Sequence, residues 1–91
     1  MLSLIFEILA LVPRVIALFP GMKGLGDDIT ATLNSILESG DDRLQELIDL
    51  RSLVLVMVEE GRAPTAEELE ELRRLDDARF ARIKAALAAR D

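Results

Sequence analysis

Carboxylates, arginines and a handful of hydroxyls are the side chains here that bear on chemistry; histidine and cysteine are absent. Without histidine the chain lacks the commonest general base and metal ligand. Without cysteine it has no thiolate site and no disulfide framework. Ser3, Ser35, Ser39 and Ser52 have no lysine or carboxylate in a recognisable nucleophile–base arrangement. The acidic pairs Asp27-Asp28 and Asp41-Asp42 suggest a cation site at first sight. Adjacent side chains diverge, however, and no EF-hand spacing follows. Each pair is expected to cap a helix.

The stretch Pro20-Gly21-Met22-Lys23-Gly24-Leu25-Gly26 invites a phosphate-loop reading. A P-loop requires G-x-x-x-x-G-K-[ST], with lysine after the last glycine. Here the last glycine precedes two aspartates, which repel phosphate. These residues predict a hinge, and the chain as a whole predicts no catalytic residue, no cofactor and no metal.

What remains is a problem of positioning. Hydrophobic residues make up 51% of the chain but aromatics only 3%, so the core must be Leu, Ile, Val and Ala. One domain is the most that 91 residues can sustain. The composition predicts an all-α protein. Its expected parts are a hydrophobic N-terminal helix over 1–20, a glycine hinge over 21–26 and a helical body over 27–91. The body should hold a short acidic helix over 27–38 and a C-terminal antiparallel hairpin turning at 61–65.

The net charge of −6 is uneven: residues 1–24 carry +1, residues 25–61 carry −7 and residues 62–91 are balanced. An acidic chain without a basic patch is a poor ligand for a nucleic-acid backbone.

The turn is the clearest local signal. Gly61 suits the left-handed residue that ends a helix. Pro64 cannot continue one. Thr65 and Glu68 make a capping box, S/T-x-x-E. A register in which Val58 faces Leu69, Leu55 faces Leu72, Ile48 faces Arg79 and Leu44 faces Ile83 also sets Arg51 against Asp76. An Arg51–Asp76 ion pair is therefore expected in the hairpin seam. Its value would lie in fixing register more than in stability, because desolvation offsets the attraction. The opposite face of that helix, including Leu53, Val56 and Met57, needs a second cover.

Met1 to Phe19 is apolar nearly all round. Its exceptions, Ser3, Glu7, Ala10, Arg14 and Ala17, fall in one narrow sector of a helix. Such a rod must be buried somewhere. Another protein, a bilayer and the chain's own core are the three candidates, in that order. For a bilayer the segment is short, and Glu7, Arg14 and Pro13 weaken the case. The small-residue stripe admits a close neighbour. Ser3, Glu7, Ala10, Arg14 and Ala17, with Leu53, Val56 and Met57, are thus the expected interface to a homo-oligomer or larger assembly.

The segment from about Leu47 to Arg82, above all Glu59-Glu60-Gly61-Arg62-Ala63-Pro64-Thr65-Ala66-Glu67-Glu68-Leu69, resembles helical hairpins in small structural proteins of tailed phages and prophages. The resemblance implies a non-enzymatic part in a virion or its assembly. A small oligomeric membrane protein anchored through the first helix, and an acidic helical adaptor or inhibitor, are the alternative readings. Virion or membrane association is expected over a free cytoplasmic life.

Overall fold

A computed structural model describes residues 2–71 and 78–88. Their regular structure is helical, as the composition predicts. α1 runs Leu2–Leu18, α2 Lys23–Ser39, α3 Leu44–Glu60, α4 Ala66–Glu71 and α5 Ala78–Ala88, with a 3-10 turn at Pro20–Met22.

α1 is the centre of the arrangement. Ile5, Ile8, Val12 and Val15 recur at helical spacing and are at most 6% exposed. This one apolar side serves two neighbours, since α1 packs against both α2 and α3. The oily N-terminal segment is therefore buried first of all in the chain's own core, the least favoured of the three expected burials. α5 adds to the far flank of α2. The order across the molecule is α3, α1, α2, α5, with Phe80, Ile83 and Leu87 of α5 buried in the same core as α1.

The glycine hinge is not a hinge. α1 ends where Phe19 N–H bonds Val15 O at 2.9 Å and Pro20 opens the 3-10 turn. α2 then begins at Lys23, so Gly24 and Gly26 are helical. Gly26 has a packing role that its sequence context hides. A Cβ there would stand 2.7 Å from Ile16 Cδ1 and 3.2 Å from Val12 Cγ1. The missing side chain lets α2 lie close on α1. Asp27 and Asp28 consequently sit inside α2 and do not cap it; the cap at its N-terminus, Met22, has no side-chain bond.

Helix ends elsewhere follow the local chemistry. Gly40 and Gly61 take φ of 72° and 61° at the ends of α2 and α3, a conformation that costs a residue with Cβ roughly 1 kcal/mol. Asp42 Oδ1 accepts from Leu44 N–H at the start of α3. The Thr65 capping box forms in both directions: Thr65 N–H donates to Glu68 Oε1 at 2.8 Å, and Glu68 N–H to Thr65 Oγ1 at 3.2 Å.

The expected hairpin seam is corrected by the packing. The extensive partner of α3 is α1, and that of α5 is α2. Leu44 and Ile48, set against Ile83 and Arg79 in the expected register, are 46% and 36% exposed, while Ile83 is 1% exposed. Phe80, Ile83 and Leu87 of α5 share one buried cluster with Ile29, Leu33 and Ile36 of α2, the helix against which α5 packs. Polar contacts fix the docking. Arg79 Nη1 donates to Ser35 Oγ at 2.7 Å and Nη2 to Asp41 Oδ2 at 3.2 Å.

Candidate functional site

The stripe Ser3, Glu7, Ala10, Arg14 and Ala17 is exposed along its whole length. It lies opposite the face that α1 gives to the core. Apolar residues flank it: Leu2 is 54% exposed, Phe6 56% and Leu18 46%. Among the described residues, Leu44 and Ile48 of α3 are the other large exposed hydrophobics. α1 and α3 are stitched together beside this surface by an ion pair. Arg51 Nη1 lies 3.1 Å from Glu7 Oε1. The pair is partly exposed, and Arg51 Nε behind it is buried without a hydrogen-bond partner among the described residues.

Two of the residues expected on the interface are not available to it. Leu53 and Met57 are 6% and 1% exposed, and Val56 is half-buried. α1 of the same chain supplies the cover that this face of α3 needs. Asp76 lies outside the described residues, and the partner the structure gives Arg51 is Glu7.

The remaining polar groups are used structurally. Ser39 Oγ donates to Ile36 O and accepts from Asp41 N–H, both at 3.3 Å, in the turn after α2. Thr32, buried in α2, sends its hydroxyl toward Arg79 O at 3.5 Å. Ser3 and Ser52 are exposed. Among the described residues no group of three acidic side chains is placed to hold a metal ion. A cleft lined by Ser52, Leu53, Val56 and Glu68 has a volume of about 70 Å³. That is room for about two waters, not for a substrate.

The strongest electrostatic feature is the clamp around the 61–65 turn. Arg62 meets Glu68 through two parallel bonds, Nη1 to Oε1 at 2.9 Å and Nη2 to Oε2 at 3.1 Å. Its Nε reaches Glu60 Oε1 at 2.8 Å. These bonds, with that from Thr65 N–H, hold the Glu68 carboxyl at a pKa of about 2. The Arg62 guanidinium is pushed up in turn by Glu68 and then Glu60. One arginine thus ties the end of α3 to the start of α4. Sequence reasoning found Gly61, Pro64, Thr65 and Glu68 but gave Arg62 no part. The signal was its position between two acids, Glu60 and Glu68, that a bent chain brings together.

No protein-family model, curated protein or solved structure matches this chain. Among the described residues no helix is long and apolar enough to cross a membrane. Part of the apolar surface of α1 is taken up by α2 and α3, while Leu2, Phe6 and Leu18 remain exposed.

Proposed function

We propose that this chain is a non-enzymatic structural protein that acts by joining a multi-subunit assembly. Its contact surface is the outer face of α1, extended by Leu44 and Ile48 of α3. The observation that carries this reading is Phe6, 56% exposed on a helix whose opposite side is the core. Apolar side chains grouped on a rigid face favour docking over remaining in water. Each such side chain gains roughly 1.5–3 kcal/mol on full burial. The resemblance of segment 47–82 to tailed-phage hairpins suggests a virion or its assembly as the setting.

Size fractionation of extract from cells making the protein, under native conditions, tests the proposal. The wild-type chain should run well above its 10.1 kDa mass. Phe6→Glu, which leaves the core untouched, should shift it toward the free chain. A wild-type chain found only at its own mass overturns the reading.

A further inference from the structure

Resting on that reading, we infer that the occupant of the α1 face is a second copy of this chain, its α1 antiparallel to the first about a two-fold axis at Ala10. The argument is the self-complementarity of the exposed residues. Ser3 and Ala17 stand seven residues either side of Ala10. Glu7 stands three before it and Arg14 four after. Residues equidistant from the axis face each other when a helix meets its own antiparallel copy. Ala10 then meets Ala10 and Ser3 meets Ala17, while Glu7 and Arg14, three and four residues from the axis, come within one residue's rise (about 1.5 Å) of level with each other, twice over, as an isologous contact requires.

The angular positions agree. Residues seven apart lie only about 20° apart around a helix. Glu7 and Arg14 therefore share one edge of the exposed face, and Phe6 and Pro13 share the other. In the antiparallel pair each edge meets the same edge of the second copy. Charge lies against opposite charge on one side, and the Phe6 ring against the Pro13 ring on the other. A parallel pair would set Glu7 on Glu7 and Arg14 on Arg14, so the charges select direction as well as partner.

The rest of the structure prepares this contact. Arg14 is exposed and has no ion-pair partner among the described residues. Glu7 is held from one side by Arg51 Nη1, and a carboxylate has capacity to accept a second arginine. The small Ala10 allows the helix axes to approach to about 8 Å. Leu44 and Ile48 of α3 stand ready on the flank.

Sedimentation equilibrium of the purified chain from about 1 µM to about 1 mM tests the inference. The wild type should show a reversible monomer–dimer equilibrium. Arg14→Glu and Glu7→Lys should each weaken it by about tenfold or more, with helix content by circular dichroism unchanged because both positions are exposed. A one-to-one mixture of the two variants should recover a heterodimer, since each altered charge then meets its opposite. Three results each overturn the inference: a monomer at every concentration, a dimer indifferent to both substitutions, or a mixture that stays monomeric. A purified monomer that still runs large in extract sinks self-pairing and leaves the assembly reading standing. A chain at its own mass in extract that dimerises when purified does the reverse.

Discussion

Arg51 Nη1 donates to both carboxylate oxygens of Glu7, at 3.1 and 3.3 Å, and so ties the middle of α3 to the first half of α1. An exposed pair of this kind couples its partners by about 0.2–1 kcal/mol. The buried Arg51 Nε has no acceptor among the described residues, and an unsatisfied donor costs about 1–3 kcal/mol. Arg51→Met should accordingly be close to neutral or slightly stabilising. A double-mutant cycle with Glu7→Gln, read by urea unfolding, should return a coupling below about 1 kcal/mol.

Gly24 and Gly26 share α2 but not an environment. Alanine is favoured over glycine inside a helix by roughly 1 kcal/mol. Nothing lies within 4 Å of a Cβ at Gly24, so Gly24→Ala should stabilise by up to about 1 kcal/mol. At Gly26 the added methyl meets Ile16 and Val12 of α1. Overpacking of this kind costs about 1–3 kcal/mol, and Gly26→Ala should be net destabilising by about 1 kcal/mol. Thermal melts of the two variants in parallel separate helix propensity from packing. Equal stabilisation at the two sites would show that α1 and α2 are not in close contact at Gly26.

Glu68 supplies a pH dependence whose sign is fixed. Its native pKa of about 2 lies below the ordinary 4.5, chiefly through Arg62 and then the Thr65 N–H. The unfolded chain takes up this proton first as pH falls. The stabilisation from the carboxylate is complete above about pH 5 and is lost as pH falls from 4.5 toward 2. Glu68→Gln can keep the capping geometry but not the charge. The melting-temperature gap between wild type and Glu68→Gln should be widest at neutral pH and close toward pH 2. Salt should narrow it, because the site is solvent-accessible.

α5 is held by apolar burial more than by its arginine. Phe80 is fully buried, and Phe80→Ala should cost about 3–5 kcal/mol. Arg79→Met removes the bonds to Ser35 and Asp41 and should cost about 1–2 kcal/mol. Hydrogen exchange should show the loss in α5 and α2 first. A loss in α3 ahead of α2 would restore the hairpin seam at the expense of the observed packing.

The sequence made backbone punctuation legible and helix pairing much less so. Gly61, Pro64, Thr65 and Glu68 form the turn they imply, because a left-handed cap and a capping box are settled within a few residues. The seam drawn from Val58 and Leu69 down to Leu44 and Ile83 was a choice among long-range partners, and it contained a warning. It set Ile48 against Arg79, whereas in the structure Arg79 bonds Ser35 and Asp41 of the α2 end. An apolar residue opposite an arginine marked the wrong neighbour. Similarly, the polar and small stripe of α1 is expected as a contact face and lies exposed, while on the reverse side Gly26 leaves room for Ile16 and Val12 of α1. A glycine inside a helix looks the same as a glycine in a hinge until a neighbour is known.

The position of α5 on the outer flank of α2 has a consequence for synthesis. α1 packs against both α2 and α3, so these three helices can associate before α5 docks. Ile29, Leu33 and Ile36 then wait, with one side uncovered, for Phe80, Ile83 and Leu87 to emerge. Until α5 docks, the protein thus leaves one strip of its interior, on α2, open to chaperones.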